Sequence, residues 1–541
     1  MGAREEFQAL AQDYFDTWYR HNPVEASWLG IHAYDDLLGD YDAGSLDDRI
    51  LLTAEYLQRL LAIDQAELGT EMGVDYDLIA AELRATLWTL QDVVDWRRNP
   101  NLYAEAPLVG LLVLVSRDYA PLEERMRSAA SRLRAAGRVL EQGIQNVAQP
   151  PHIFTETAMQ TCEGGLRFLG DVIPRLAAEL PDARQRDDLH AAAQEAARAY
   201  RDYLAYLRDA LLPRSNGGFA VGRALYERRL REWHFLDLTA DEMAATGLRL
   251  MQETREELER VAREIDPRRS WQEIVEAAKH DTPAADELLD AYRREIARLR
   301  QFILDRGFVS IPEGEELEVI ETPVFERAIV PYAAYMPPGP FESRQLGSFW
   351  VTPIDPSLPP EAQQEQLKEH CLYSFPITAL HEAYPGHHLQ LAFANLSAGY
   401  VRKHFQSDLC AEGWAFYCEQ LMEEQGYYQD RRLRLFQLKD QLWRSARVYI
   451  DARLQTGQMS VPEAVDLLVN EAYLARAQAE GEVRRYTMTP TQPMTYAMGK
   501  EQILALRREF AHLPLREFHD RLLSSGTIPF ALTARELRAE A

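Results

Sequence analysis

The stretch Thr378-Ala-Leu-His-Glu-Ala-Tyr-Pro-Gly-His-His-Leu-Gln390 packs three histidines and one glutamate into eight consecutive residues. Apolar residues flank it on both sides, so we expect it to form an interior helix. Imidazole nitrogens and a carboxylate are ligands that zinc takes in proteins, and a glutamate beside the first histidine is the usual base in zinc peptidases. The stretch therefore predicts a metal site carried by a helix.

The spacing of the histidines departs from the standard zinc-peptidase motif. In H-E-x-x-H the two histidines lie four residues apart and share a helix face. Here Pro385 stands at the second histidine position, with Gly386 after it. The two residues could loop out of the helix and return His387 to the phase of the second ligand. Alternatively the helix kinks, and His388 returns to the face of His381. We place His387 first.

A catalytic zinc site needs a third protein ligand and leaves one position for water. Glu412 is the strongest candidate, because it follows the histidines by 24 to 25 residues on a separate predicted helix. Glu419 lies two turns further along the same face, where it could fix a ligand imidazole by a hydrogen bond. The predicted cofactor is one Zn²⁺ ion, although another divalent metal, manganese or cobalt, would suit the same ligands.

Catalysis at such a site needs a base, a donor for the developing oxyanion and groups that bind the substrate. Glu382 is the predicted general base. Tyr496 is the first candidate for the oxyanion donor and Tyr486 the second. Arg485 and Arg344 are predicted to bind a substrate carboxylate, because a guanidinium group can hold a carboxylate with two hydrogen bonds.

The composition of the 541 residues is that of a soluble globular protein, with 46% hydrophobic and 27% charged residues. A net charge of -26 argues against nucleic acid or an anionic membrane surface as partner. The four cysteines form no C-x-x-C pair, which indicates free thiols in a reducing compartment. The N-terminus shows no apolar signal region and no run of eighteen apolar residues occurs, so we expect a cytoplasmic location.

The pattern along the chain predicts a mostly α fold. Helical periodicity dominates the first three hundred residues, and turn residues at Asn216-Gly217-Gly218 mark a boundary. We therefore predict an N-terminal helical lobe over 1–215 and a catalytic lobe over 216–541. Short β-branched or aromatic segments predict strands at 317–323, 328–335 and 347–352, which would form a small sheet. Helices at about 376–425 would carry the metal site.

Several motifs resemble those of a known family. His381-Glu-Ala-Tyr-Pro-Gly-His-His-Leu-Gln390 resembles the H-E-x-x-P-G-H-H-L-Q signature of the bacterial domain-of-unknown-function 885 proteins. Glu412-Gly-Trp-Ala-Phe-Tyr-Cys-Glu419 resembles their second block, and Pro490-Thr-Gln-Pro-Met-Thr-Tyr-Ala-Met-Gly499 resembles a third. Asn22-Pro-Val-Glu-Ala-Ser-Trp-Leu-Gly30 and Gly218-Phe-Ala-Val-Gly222 also look like family landmarks, so the resemblance covers nearly the whole chain.

The resemblance implies a large helical fold similar to gluzincin metallopeptidases of the carboxypeptidase Taq and angiotensin-converting-enzyme types. Those enclose a deep cleft between helical walls, with a small β-sheet beside the active-site helix. It also implies zinc at His381, His387 and Glu412, with Glu382 as base. The chain departs from the family pattern at two positions. Thr491 stands where the family often has glycine, and Gln455 stands where many members have histidine.

Together these observations predict a zinc-dependent metallopeptidase that hydrolyses short peptides, with a carboxypeptidase or dipeptidase-like activity as the candidate form. One alternative is a metal-dependent hydrolase of another amide. A second is a non-catalytic helical protein that binds a metal or a peptide. The expected partner is a short peptide substrate, with neither nucleic acid nor membrane, and a homodimer is a candidate assembly.

Overall fold

The computed structural model describes residues 2–324, 327, 330 and 332–540. Its backbone divides into two compact units. Unit 1 comprises Met1–Phe219 and Pro338–Ser343, and unit 2 comprises Ala220–Pro337 and Arg344–Ala541. The predicted mostly α fold is confirmed. The predicted division after residue 215 stays a prediction.

Unit 1 is built from helices joined by short connections. In the described residues they are α1 Ala3–His21, α2 Pro23–Leu29, α3 Ala43–Leu61, α4 Gly69–Trp88, α5 Asp95–Arg98, α6 Pro100–Ser116, α7 Leu122–Asn146, α8 His152–Glu179 and α9 Ala183–Tyr206. Helix α6 packs against α7 and α8 and is apolar on nearly every side. Asn99 begins it by accepting a hydrogen bond from the backbone of Asn101 at 3.0 Å.

A short segment from the middle of the sequence also belongs to unit 1. The Phe341 backbone N–H donates to the Leu29 carbonyl at 2.9 Å. The Glu342 carboxylate accepts a hydrogen bond from His32 Nε2 at 3.1 Å, and the other ring nitrogen of His32 lies 3.0 Å from Asp35. Backbone pairing and a charged network therefore hold Pro338–Ser343 within this unit.

Unit 2 contains the remaining helices and the sheet. Its described helices are α10 Arg223–Glu232, α11 Ala240–Ile265, α12 Trp271–Ala278, α13 Leu288–Arg306, α14 Pro360–Lys368, α15 Phe375–Glu382, α16 His387–Ser397, α17 Asp408–Glu424, α18 Arg431–Gln455, α19 Val461–Glu471, α20 Arg476–Met488, α21 Thr495–Glu509, α22 Leu515–Ser524 and α23 Phe530–Glu540. Helix α18 packs along α11, and α17 packs along α21, around a shared apolar core.

The described strands of unit 2 form a small sheet, as predicted. They are β1 Glu316–Glu321, β2 Ala333–Met336 and β3 Leu346–Val351. β3 lies in the centre, parallel to β1 and antiparallel to β2. The buried ring of Phe349 packs against Tyr292 of α13, which seats the sheet on the helices. Of the predicted strand 328–335, residues 328, 329 and 331 lie outside the described part of the chain.

Candidate functional site

The histidine-rich stretch forms two helices and not one. Helix α15 ends at Glu382 and α16 begins at His387. Between them the Gly386 backbone N–H donates to the Leu380 carbonyl at 3.0 Å. A Cβ atom on Gly386 would lie 1.8 Å from the His381 carbonyl oxygen, so only glycine fits this turn. The prediction of a two-residue loop inside a single helix is therefore wrong, because four residues separate two helices.

Two side chains of helix α17 contact the backbone at this break. The Trp414 indole Nε1 donates to the Pro385 carbonyl oxygen at 2.7 Å, and the Cys418 thiol lies 3.6 Å from the same oxygen. Both side chains are fully buried. A carbonyl that the helix break leaves without a helical partner is thereby satisfied by α17. The same contact fixes the part of α17 that carries Glu412.

The structure brings the predicted ligands together. His381, Glu382 and His387 each offer a ligand atom within 4.8 Å of the others. Glu412 Oε2 lies 3.3 Å from His387 Nε2 and 3.8 Å from His381 Nε2. This oxygen is buried, and none of the described residues donates a hydrogen bond to it. Two imidazole nitrogens and an unsatisfied carboxylate oxygen form a donor set that fits zinc.

Glu419 supports this cluster from behind. Its Oε1 accepts a hydrogen bond from His381 Nδ1 at 2.9 Å, which turns His381 Nε2 toward Glu412. A carboxylate that orients a ligand imidazole in this way is common around protein-bound metals. Burial opposes the charged form of His381, but Glu412 and Glu419 outweigh it and raise the pKa of His381 to about 10. Burial likewise opposes ionisation of Glu412, yet His387 and His381 hold its pKa well below the usual range.

His388, the alternative second ligand, points elsewhere. Its Nε2 donates to Glu315 Oε2 at 2.8 Å, and its Nδ1 shares a hydrogen bond of 3.0 Å with the Tyr335 hydroxyl. The Tyr384 hydroxyl donates to the same oxygen of Glu315 at 2.6 Å. Both ring nitrogens of His388 are therefore engaged in a buried network. The structure places His387, and not His388, beside Glu412.

A cavity of about 400 Å³ opens onto the cluster. Besides the four clustered residues and Glu419, it is lined by Tyr335, Pro337, Ile377, Thr378, Leu391, Gln406, Asp408, Ala411, Asp440, Arg444 and Tyr496. The ring of Tyr496 lies nearly parallel to that of His381, with 6.4 Å between centroids. Burial and the charge of Glu412 raise the pKa of Tyr496, so its phenol stays protonated and can donate a hydrogen bond at neutral pH.

Three predicted site residues are not part of this cavity lining: Arg344 and Arg485, predicted to bind substrate, and Tyr486, the second candidate for the oxyanion donor and for a substrate contact. Arg344 is exposed and pairs with Glu316 at 2.7 Å. Arg485 donates to Gln492 Oε1 at 2.6 Å and to Glu482 Oε2 at 3.0 Å. The Tyr486 hydroxyl is buried and donates to Glu482 at 2.7 Å. The structure therefore gives these side chains partners within the chain, and their predicted roles stay predictions.

Three charged residues in the lining carry no recognisable motif. Asp408 lies one helical turn before Glu412 on α17. Burial and the charge of Glu412 raise the pKa of Asp408 to about 6. Asp440 and Arg444 lie one turn apart on α18. The i, i+4 spacing of two charges on a helix with many buried residues is the only sequence signal that could have found this pair.

Two glycines bring α17 and α21 into backbone contact beside the cluster. A Cβ atom on Gly413 would lie 2.5 Å from the Cα of Gly499, and one on Gly499 would lie 2.1 Å from the Leu409 carbonyl oxygen. Gly413 follows Glu412 directly, and Gly499 is one turn beyond Tyr496. The close approach of the two helices therefore sets the carboxylate of Glu412 near the phenol of Tyr496.

Comparison with other proteins identifies the family. A profile of the family described as "Bacterial protein of unknown function (DUF885)" matches residues 23–537. A solved structure of a candidate lipoprotein of unknown function from Shewanella oneidensis is 23% identical, with a TM-score of 0.82 over 98% of this chain and 99% of that one. A candidate lipoprotein from Colwellia psychrerythraea is 17% identical, with a TM-score of 0.85 over 100% of this chain and 99% of that one. These likenesses show a shared fold, whereas no curated protein matches the chain. Since the profile spans nearly all of the sequence, this protein belongs to the DUF885 family.

Proposed function

We propose that this chain is a zinc-dependent metallopeptidase that hydrolyses short peptides. One observation carries the proposal. The buried, unsatisfied Glu412 Oε2 lies 3.3 and 3.8 Å from two imidazole nitrogens, and Glu382 stands within the same group at the wall of a cavity. The likeness to gluzincin peptidases that the family resemblance implies supports the same function.

The metal would be held by His381, His387 and Glu412, with Glu419 fixing the ring of His381. A zinc ion bound there would act as a Lewis acid, polarising a substrate carbonyl and making water more acidic. Both imidazoles must offer a lone pair at Nε2 to serve as ligands. The hydrogen bond from His381 Nδ1 to Glu419 satisfies this requirement for His381, because it places the remaining proton on Nδ1.

The chain itself supplies the proton transfers and the oxyanion donor. The Glu382 carboxylate accepts a proton from the attacking water and passes it to the nitrogen of the leaving amine. The Tyr496 hydroxyl donates a hydrogen bond to the carbonyl oxygen as negative charge develops on it. Arg447 lies over the Tyr496 ring at 4.7 Å, which holds the phenol in place.

The size and lining of the cavity favour small substrates. A space of about 400 Å³ between packed helices admits a short flexible peptide and not the surface of a folded protein. Tyr335 of β2 is one of the lining residues, so such a peptide would lie beside the sheet.

The test combines metal content with hydrolysis of a short-peptide library. We expect the wild-type protein to bind about one zinc ion per chain and to cleave peptides. Glu382→Gln should keep the metal and lose about 10²- to 10⁴-fold in rate, as removal of a general base typically does. The matched control is Glu361→Gln on the exposed start of α14, which should leave both properties unchanged.

Two results would contradict the proposal. Bound zinc without cleavage of any peptide or other amide by the wild-type protein would favour a non-catalytic binding protein. Cleavage that survives in Glu382→Gln at the wild-type rate would show that Glu382 is not the base.

A further inference from the structure

We propose that Arg444 binds the terminal carboxylate of the substrate, so that this protein acts at the free C-terminus of short peptides. The inference rests on the proposed peptidase function and names the end of the peptide that the site recognises. It concerns a residue that no sequence motif points to, on the wall of the cavity that also holds His381 and Glu412.

The Arg444 guanidinium has donors without a protein acceptor. Its Nε and Nη1 atoms are buried, and no hydrogen-bond acceptor for either is found among the described residues. A buried charged donor without an acceptor is costly, and native proteins rarely leave one unless a ligand or water completes it. The planar guanidinium fork matches a carboxylate, which can accept two parallel hydrogen bonds from it.

The acidic side chain that pairs with Arg444 does not accept a hydrogen bond from it. The carboxylate nearest to it in the cavity, Asp440, lies 3.9 Å from its Nη1, which is beyond hydrogen-bond distance. Asp440 instead accepts a hydrogen bond from Lys439 Nζ at 2.6 Å. Arg444 therefore shares the charge of Asp440 with Lys439 but gives it no hydrogen bond, so its donors are left for another acceptor. Arg444 is the only arginine or lysine among the described residues that line this cavity.

Neighbouring arginines are already engaged within the chain. Arg447 donates to the Tyr486 hydroxyl at 2.8 Å and to Glu482 at 2.9 Å. Arg485 donates to Glu482 as well. These two guanidinium groups support the wall around Tyr496, whereas Arg444 is itself one of the residues that line the cavity.

The position of Arg444 determines where a carboxylate bound to it would lie relative to the reacting groups. Its Cζ lies 4.1 Å from the Trp443 ring, which holds the side chain in place, and 5.8 Å from the Tyr496 ring. A carboxylate bound to Arg444 would therefore sit on the side of the cavity where the Tyr496 phenol lies. The peptide bonds near the C-terminus of the substrate would then lie beside Glu382 and the metal ligands.

Binding of a matched pair of peptides tests this inference without turnover. The probes are N-acetyl-trialanine with a free carboxylate and the same peptide with a C-terminal amide. Their affinities for the Glu382→Gln protein, with zinc added, are measured by calorimetry. We expect the free acid to bind about 10- to 100-fold more tightly than the amide, as a charge-assisted hydrogen-bonded pair typically provides.

Variants at Arg444 assign the preference to this side chain. In the same Glu382→Gln background, Arg444→Gln should reduce the preference for the acid to about threefold or less. Arg444→Lys keeps the charge but loses the fork, so it should keep an intermediate preference. The matched control is Arg431→Gln at the start of α18, an arginine that pairs with Glu264 and Glu423 and lies outside the cavity lining. It should keep the full preference.

The outcomes separate this inference from the proposed function. Equal affinity for acid and amide, binding of neither peptide, or a full preference in a folded Arg444→Gln or Arg444→Lys protein would overturn the role of Arg444. Circular dichroism establishes that each variant is folded. If the acid is preferred but wild-type protein cleaves no peptide, the carboxylate site stands and the peptidase proposal fails. If peptides are cleaved but the free-acid peptide is not preferred, the peptidase proposal holds and the carboxylate-binding role of Arg444 fails.

Discussion

A single methyl group on Gly413 is expected to push α17 away from α21 and to weaken the candidate metal site. In Gly413→Ala the new Cβ atom would lie 2.5 Å from the Cα and 2.7 Å from the carbonyl carbon of Gly499. Non-bonded carbon atoms prefer a separation of about 3.5–4.0 Å. Since the opposing atoms are backbone, no rotamer change can relieve the contact, and the helices must separate locally by about 1 Å.

The expected loss of stability follows from two opposing effects. Overpacking of this kind costs about 1–3 kcal/mol. Alanine in a helix is favoured over glycine by about 1 kcal/mol, which offsets part of that cost. Because the methyl group meets rigid backbone, we expect an overpacking cost of about 3 kcal/mol. After the gain from alanine, the free energy of unfolding should fall by about 2 kcal/mol. Glu412 would move with α17, so zinc affinity should fall about 10- to 100-fold.

Urea denaturation followed by tryptophan fluorescence measures the first effect, since Trp414 neighbours the substituted residue. Competition with a chelator measures the second. The matched control is Gly481→Ala in α20, where a Cβ atom meets nothing within 4 Å. This control should be as stable as the wild type or more stable by up to about 1 kcal/mol, with unchanged zinc affinity. Wild-type stability and wild-type zinc affinity in Gly413→Ala would refute the argument that backbone contact sets the position of Glu412.

Two further predictions concern other parts of the structure. Gly386→Ala places a Cβ atom 1.8 Å from the His381 carbonyl oxygen. We therefore expect the free energy of unfolding to fall by more than about 3 kcal/mol, seen in urea denaturation or as a failure to fold. A well-folded variant of wild-type stability would show that the turn can rearrange. For His32, burial alone would lower the pKa, but hydrogen bonds to Asp35 and Glu342 raise it from 6.5 to about 9. The protonated ring therefore stabilises unit 1 fully below about pH 6.5, and this contribution is lost as the pH rises through about 9. The free energy of unfolding should fall over that interval in the wild type and fall less in His32→Gln, and equal slopes in the two proteins would speak against this origin.

The sequence predicts the parts of this protein whose signals are local. The periodicity of apolar residues predicts amphipathic helices such as α11. The ligand types in 378–390 predict a metal site. Helix α6 escapes this approach because it is buried on nearly all sides and has no polar face to mark its period. Pro107 within it further obscures the pattern.

Features that depend on tertiary contacts lie beyond such reasoning. The width of the break before His387 is set by Gly386 packing against the carbonyl of His381. The ion pair of Arg344 with Glu316 is one such feature, because parallel pairing of β1 with β3 brings the two side chains together. Arg444 is distinguished from the other arginines of the described residues by its place in the cavity lining, which no sequence pattern records.

The segment Pro338–Ser343, called the strip below, limits how this protein can be divided into fragments. Because the polypeptide passes from one unit to the other after residues 219, 337 and 343, no single cut separates them. A fragment starting at Ala220 would carry the strip away from Leu29 and His32, leaving a backbone amide and a carboxylate without their native partners. Limited proteolysis near Phe219 should accordingly yield nicked protein that co-purifies as one species and not two freely dissociating halves.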